Sequence, residues 1–123
     1  MDRANKEQLV ASLHELFNST NLLIVTCPVG LTVAESTDLR RQMRSAGASF
    51  KVTKNRLTKI ALQGTKFEPL SELFTGPTGI AYSDDPVAAA KIAVEFSEKN
   101  DLLKILGGAM GEQALDVAAV NSL

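Results

Sequence analysis

Eight basic residues and no acidic residue lie between Leu39 and Phe67 of this 123-residue chain. They are Arg40, Arg41, Arg44, Lys51, Lys54, Arg56, Lys59 and Lys66. The rest of the chain holds five basic residues and all fourteen acidic residues, so the net charge of −1 conceals two regions of opposite sign. A block of one sign makes a local electric field, and a positive field attracts polyanions. The first chemistry that the sequence indicates is therefore the binding of a polyanion.

The tripeptide Lys54-Asn55-Arg56 lies where a predicted strand meets a predicted helix. The unpaired backbone N–H groups and the dipole of a helix start already favour an anion. An arginine can hold a phosphate through two donors, and a lysine adds a point charge. We therefore predict a phosphate-binding position at this junction, with Asn55 as the residue that caps the helix.

Other basic residues are expected to flank this junction. They are Arg40, Arg44, Lys51 and Lys59. Residues four apart share one face of a helix, which groups Arg40 with Arg44. Alternation along a strand places Phe50 and Val52 on one face and Lys51 on the other. A solvated charged surface is the alternative interpretation, but ordinary surfaces mix both signs, so the absence of acidic residues favours nucleic acid.

Few side chains could support catalysis or metal binding. His14 and Cys27 are the only histidine and the only cysteine, which excludes a zinc set and an internal disulfide. We expect no metal, no cofactor and no enzymatic activity, because no serine, histidine and acid arrangement stands out. Tyr82, five phenylalanines and no tryptophan make base stacking on exposed aromatic rings an unexpected mode of recognition.

Two other functions remain open from the residues alone. The segment 107–111 follows a predicted strand and is glycine-rich, as in a small nucleotide-binding or enzymatic α/β domain. It lacks the G-x-G-x-x-G spacing and the lysine of a P-loop, so the indication from Gly107 and Gly108 is weak. The second alternative is a protein–protein adaptor whose basic face meets an acidic partner.

Hydrophobic periodicity and turn residues predict one layered domain. The predicted helices cover about 4–18, 32–47, 55–63, 69–74 and 86–99, and the predicted strands cover 22–27, 48–52, 78–83 and 102–106. Thr32 and Glu35 form a capping-box pattern, Asp85-Pro86 is a helix cap followed by proline, and Gly107-Gly108 is expected to end or bend the last strand. This order predicts an α/β fold (an α+β sandwich) with one central, mostly mixed sheet of about four strands flanked by helices.

The composition also predicts where the protein is found. No apolar run approaches the roughly 20 residues that span a bilayer. The first residues carry both signs of charge and lack the apolar core of a signal peptide. A single cysteine fits the reducing cytosol, and we expect a cytoplasmic protein.

The motif Lys54-Asn55-Arg56-Leu57, preceded by the turn Gly30-Leu31-Thr32-Val33, resembles the stalk-base protein family of the large ribosomal subunit. That family is called L-ten in bacteria and P-zero in archaea and eukaryotes. Further similar segments follow in family order, at residues 73–78, at Asp85-Pro86 and at 106–108. Each motif is weak alone, but together they are specific, run from the first helix to about Leu115 and resemble bacterial members.

The resemblance implies a structural constituent of the large ribosomal subunit. Residues 1–115 would form a globular domain that binds large-subunit ribosomal RNA at the base of the factor-recruiting stalk, beside the neighbouring protein L-eleven. The best candidates for RNA contact would be Lys54, Asn55 and Arg56. Flanking contacts would come from Arg40, Arg44, Lys51, Lys59, Gly30 and Thr32.

Two departures from the family pattern limit what the resemblance implies. The family continues into a long C-terminal helix that carries dimers of the acidic stalk protein L-seven/L-twelve. Residues 116–123 would begin the linker toward that helix, which this chain lacks, so no residue here is assigned to binding the dimers. In addition, Cys27-Pro28-Val29 stands where members often have a tyrosine and a polar or basic residue.

Overall fold

Helices and strands alternate along the chain in the computed structural model, which describes residues 3–28, 30–85, 87–100, 102–111, 113–115 and 119–120. The helices are α1 (Arg3–Ser19), α2 (Val33–Ser45), α3 (Asn55–Leu62) and α4 (Ala88–Lys99), and a 3-10 helix covers Glu68–Leu73. The strands are β1 (Leu22–Pro28), β2 (Ala48–Thr53), β3 (Thr78–Ser83), β4 (Leu103–Met110) and β5 (Gln113–Leu115).

The five strands form a single sheet in the order β2-β3-β1-β4-β5. The predicted α/β class, with one central sheet flanked by helices, is confirmed. All four ladders are antiparallel, however, so the sheet is not mixed. The crossover through α2 makes β1 and β2 run in the same direction, but β3 lies between them and runs the opposite way. The fifth strand comes from the tail, where β4 turns back through Gly111 (φ +60°) into β5.

Helices cover both faces of the sheet, and each face has its own hydrophobic layer. Leu22 and Ile24 of β1 face the layer of α2 and α4, whereas Leu23 and Val25 face the layer of α1, α3 and the 3-10 helix. The first layer also contains Leu39, Met43, Ala90, Ala93 and Phe96, and the second contains Leu13, Phe17, Leu62, Phe67 and Phe74. The continuous apolar run of β1 is therefore explained by burial on both faces.

Two glycines lie inside β4 instead of ending it. A Cβ on Gly108 would lie 2.5 Å from the carbonyl oxygen of Leu23, so only glycine lets β1 and β4 approach so closely. The ladder shifts register between Val25 and Thr26, opposite Gly107, whose φ of +154° accommodates the bulge. Of the two predicted alternatives, Gly107-Gly108 does not end the strand, whereas the bulge at Gly107 agrees with a bend in it.

The start of α4 and the far end of the chain are held by specific contacts. The carboxylate of Asp85 accepts hydrogen bonds from the N–H groups of Val87 and Ala88 at 2.8 and 3.0 Å, so it caps these groups as predicted, although the helix begins two residues later than predicted, at Ala88. Pro86 and Val29 lie outside the described residues, as do 116–118 and 121–123. Val120 is fully buried in the layer of α2 and α4, so the packed core continues past Leu115.

Candidate nucleic-acid interface

The acid-free stretch folds around one edge of the sheet. It supplies the second half of α2 on one face, the edge strand β2, and α3 on the other face. Six predicted RNA-contact residues from these three elements and the junction between β2 and α3 have exposed side chains. They are Arg40, Arg44, Lys51, Lys54, Arg56 and Lys59. The acid-free stretch therefore contributes exposed cations on both sides of β2.

A groove beside β2 brings three of these cations together. Arg40 and Arg44 of α2 and Lys51 of β2 line it together with the hydroxyl-bearing residues Ser49 and Tyr82, around a volume of about 260 Å³. Cations and hydroxyl donors in one groove suit phosphate and ribose oxygens. The prediction from sequence missed Tyr82, because its place opposite Ser49 depends on the pairing of β2 with β3.

Neighbouring residues show how local this grouping is. Arg41 belongs to the same acid-free stretch but lies in a different groove, with Ile92 of α4.

Val52, expected to share the inner face with Phe50, is 53% exposed. The reason is that β2 is an edge strand, and the layer that covers Phe50 does not include Val52.

Residues 54–56 join β2 directly to α3. The helix begins at Asn55, and Lys54 occupies the position before it without a capping hydrogen bond from its side chain. Asn55 is therefore not the cap, because it is itself the first residue of the helix. Its side-chain N–H instead donates to the carbonyl oxygen of Gly76 at 2.6 Å. With no side chain capping them, the first N–H groups of α3 remain available beside the cationic groups of Lys54 and Arg56.

A gain in folding stability does not account for the presence of Asn55 at this position. A hydrogen bond contributes about 0.5–1.5 kcal/mol net, whereas a buried polar atom left without a partner costs about 1–3 kcal/mol. The Oδ1 atom of Asn55 is buried without a hydrogen-bond partner among the described residues, and so is the hydroxyl of Thr53. The favourable and unfavourable contributions of Asn55 are thus of similar size.

The turn that contains Gly30 and Thr32 lies at the same end of the sheet as this junction. Thr53 at the end of β2 pairs with Thr78 at the start of β3, and β3 pairs in turn with the end of β1. The turn follows β1 directly, and Gly30 adopts a φ of +83° that favours glycine. The structure therefore places Gly30 and Thr32 beyond the same sheet end that leads into Lys54.

The predicted capping box at the start of α2 is confirmed. The N–H of Glu35 donates to the Thr32 hydroxyl at 3.1 Å, and the N–H of Thr32 donates to the Glu35 carboxylate at 3.0 Å. Asn100 donates to the second oxygen of the same carboxylate. The hydrogen bonds from Thr32, backbone first, and then that from Asn100 hold the pKa of Glu35 below its ordinary value. This network ties the turn to the C-terminal end of α4.

Comparisons with known proteins decide the family. The family model described as Ribosomal protein L10 matches residues 1–98. The chain is 58% identical to the large ribosomal subunit protein uL10 of Paramagnetospirillum magneticum and 56% identical to that of Rhizorhabdus wittichii. Both matches cover the whole chain and 72% of the relative. The chain belongs to the ribosomal protein L10 family.

Membership in the L10 family settles the general function. This L10-family chain is a structural constituent of the large ribosomal subunit and is not an enzyme. It is located in the ribosome, in the cytoplasm. The bacterial resemblance given by residues 30–33 and 54–57 is thereby confirmed. Within the part of the chain that the structure describes, no helix is long and apolar enough to cross a membrane.

The nucleotide-binding alternative has no support in the L10-family structure. Gly107 and Gly108 are buried inside the sheet, with β1 on one side and β5 on the other, and form no loop that a phosphate could reach.

His14 links α1 to α3 through a contact of 2.9 Å between Nδ1 and the carbonyl oxygen of Ala61. The described residues contain no group of three metal-ligating side chains.

Proposed function

We propose that this L10-family chain binds ribosomal RNA through the β2 edge of its sheet. The observation that carries the proposal is the set of exposed cations on and beside β2, where those of α2 and β2 line one groove and those of α3 follow the strand directly. The residues of the proposed interface are Arg40, Arg44, Lys51, Lys54, Asn55, Arg56 and Lys59, together with Gly30 and Thr32 at the adjoining end of the sheet. The name of the relatives supports RNA as the polyanion, because a large ribosomal subunit consists mainly of RNA.

The proposed mechanism is recognition of a folded RNA through its backbone. Folded RNA presents phosphates and 2′-hydroxyl groups, which proteins contact without reading base sequence. The groove of Arg40, Arg44 and Lys51 would take one stretch of backbone, and the start of α3 would take another. Each cation that replaces a condensed counterion makes the affinity fall with salt. Acidic residues elsewhere in the chain would disfavour other orientations on the RNA.

The finer partners are also proposals. We infer that the domain adjoins the protein L-eleven at the stalk base. Binding of L-seven/L-twelve dimers would require a C-terminal helix outside this sequence. We propose that the globular domain, expected to end near Leu115, includes Ala119 and Val120, because the fully buried Val120 packs with the core. The linker toward the stalk-binding helix would then begin after Val120.

The test compares two arginines from the same acid-free stretch. Arg56→Ala is expected to weaken binding to a stalk-base fragment of large-subunit rRNA, and to flatten the slope of log affinity against log salt by about 0.7–0.9. Arg41→Ala removes the same charge from an exposed position in a different groove, so it is the matched control. Affinities of both variants would be measured across a salt series.

Four results would argue against the proposed interface. If Arg56→Ala kept the parent affinity and slope, Arg56 would not contact the RNA. If Arg41→Ala had the same effect as Arg56→Ala, the binding would reflect overall charge and not the β2 edge. If random duplex RNA competed as effectively as the stalk-base fragment, the binding would be a non-specific attraction. If the protein bound an acidic protein in preference to RNA, the protein–protein adaptor would be favoured.

A further inference from the structure

The loop of Thr75, Gly76 and Pro77 lies beside the proposed RNA interface but was not predicted as part of it. It follows the 3-10 helix and leads into β3, whose first residue, Thr78, pairs with Thr53 at the end of β2. All three loop residues are exposed, and none carries a charge that would repel a phosphate. Gly76 has a φ of +67°, and no atom lies within 4 Å of the place where its Cβ would stand, so the loop backbone is open to a ligand.

Two side chains hold this loop through one atom. The carbonyl oxygen of Gly76 accepts a hydrogen bond from Asn55 at 2.6 Å and one from the Thr78 hydroxyl at 3.0 Å. Thr78 is next to the loop in sequence, whereas Asn55 reaches it from the first turn of α3, 21 residues away. Asn55 is thus the link that fixes the loop next to the cationic residues Lys54 and Arg56.

The chemistry of asparagine suits this position. Only its amide nitrogen can face the Gly76 carbonyl favourably, and its Oδ1 remains buried and without a partner among the described residues. Since a buried acceptor without a partner offsets the benefit of the hydrogen bond, stability alone does not account for an asparagine here. Holding a loop at a binding surface would account for it, because a loop that is already ordered loses less entropy on binding.

We propose that the loop 75–77 is a further RNA-contact segment and that Asn55 is the positioning residue that orders it beside Lys54 and Arg56. The proposal rests on the proposed function and adds the uncharged part of the interface. The exposed Thr75 hydroxyl is suited to ribose and phosphate oxygens, and the open space at Gly76 lets an RNA backbone approach the loop closely. Asn55 would then act on the RNA through the loop and not through a contact of its own.

The experiment uses Asn55→Ala in the whole chain, with the stalk-base rRNA fragment as the probe. The affinity is expected to fall about 3- to 10-fold, the effect of losing one ordering hydrogen bond, while the salt slope stays unchanged because no charge is lost. The matched control is Asn21→Ala. Asn21 also donates from its side chain to a loop carbonyl, that of Asp84 at 2.9 Å, but at the opposite end of the sheet. Its loss is expected to leave the affinity unchanged.

A double-mutant cycle with Pro77→Gly tests whether Asn55 acts through the loop. Pro77→Gly gives the loop backbone more freedom and should itself weaken binding. If Asn55 acts by ordering the loop, the double variant should lose less affinity than the sum of the two single losses. If Pro77→Gly bound the fragment with the affinity of the parent protein, the proposal would be overturned. This test remains valid even if Asn55→Ala fails to fold. Full additivity would overturn the positioning role.

Other outcomes separate this proposal from the proposed function. Parent-level affinity in Asn55→Ala, or an equal loss in Asn21→Ala, would overturn the positioning role and leave the basic interface standing. A parent protein that does not bind the fragment would overturn both. A flattened salt slope in Asn55→Ala would mean that the cations themselves had moved, which also contradicts an effect confined to the loop.

Discussion

Single residues contribute to this molecule in two different ways. A basic residue such as Arg56 needs only to be exposed at the right edge, because its charge acts over several ångströms. A residue such as Gly108 or Asn55 depends on one neighbouring atom, the Leu23 carbonyl oxygen for the first and the Gly76 carbonyl oxygen for the second. Substitutions at the first kind of position should change binding, and those at Gly108 should change stability.

Gly108→Ala is expected to destabilise the fold by about 1–3 kcal/mol, the usual effect of overpacking a core. The new Cβ would lie 2.5 Å from the Leu23 carbonyl oxygen. This oxygen cannot move away, because it belongs to the backbone of the central strand β1. Urea unfolding of the variant and the parent measures the difference. Affinity for the rRNA fragment should not change under conditions where the variant is folded, because β3 and β1 separate β4 from β2.

Gly79→Ala is the matched comparison for this prediction. Gly79 also lacks room for a Cβ, which would lie 2.6 Å from the end of the Phe50 ring. A side chain on an edge strand can shift where a central backbone cannot, so this variant should lose less stability than Gly108→Ala. Equal losses, or a larger loss at Gly79, would show that the tight approach of β1 and β4 is not the limiting contact.

At the scale of residues, the sequence predicted charge better than geometry. The exposed cations could be identified because a stretch without acidic residues is visible without knowing the fold. Asn55 was expected to cap α3, since asparagine before an apolar-periodic segment is typical of a cap. Its real partner is Gly76, and no local pattern indicates a hydrogen bond across 21 residues. Tyr82 was missed for the same reason, because only the pairing of β2 with β3 places it opposite Ser49.

Among the elements, α2 is the one whose start was predicted in atomic detail. The capping box of Thr32 and Glu35 depends on residues three apart, so it is encoded locally. The order of the strands is not local in this sense. That β3 lies between β1 and β2 follows from long-range pairing, so the direction of neighbouring strands could not be derived from the order of elements.

The start of α2 should make the stability of the fold depend on acid. The pKa of Glu35 is lowered in the folded state by the hydrogen bonds from Thr32 and Asn100. A carboxyl whose pKa is lower when folded stabilises the fold fully above its unfolded pKa, and this contribution is lost as the pH falls through the folded value. We therefore expect the parent to lose more stability than Glu35→Gln as the pH falls below 4.5. Urea unfolding at a series of pH values measures this difference.

Two variants sharpen the acid experiment. Thr32→Ala removes the hydroxyl that accepts from Glu35 and should cost about 0.5–2 kcal/mol above pH 4.5, as the loss of a helix cap does. Glu98→Gln, at an exposed position of α4, controls for the loss of one negative charge. If Glu35→Gln and Glu98→Gln showed the same dependence on pH, the capping network would not be the cause.

For the molecule as a whole, the acid-free stretch of the sequence becomes parts of α2, β2 and α3 on both faces of the sheet. Exposed cations of α2 and of α3 lie on either side of β2, because α2 precedes β2, α3 follows it directly, and the two helices cover opposite faces of the sheet. A single RNA surface could then contact both the groove of Arg40, Arg44 and Lys51 and the start of α3. The placement of cations on two helices leads to a prediction that no single contact residue would give.

The two groups of cations should contribute independently to the salt dependence. Arg40→Ala/Arg44→Ala is expected to flatten the slope of log affinity against log salt by up to about 1.4–1.8, and adding Arg56→Ala by about another 0.7–0.9. The groups lie on different helices and share no hydrogen-bonding partner among the described residues, so their effects should add. Binding of the double and triple variants to the rRNA fragment across a salt series provides the measurement. A triple variant no flatter in slope than Arg56→Ala alone would show that the RNA lies only against α3. A triple variant equal to the double would place it only in the groove.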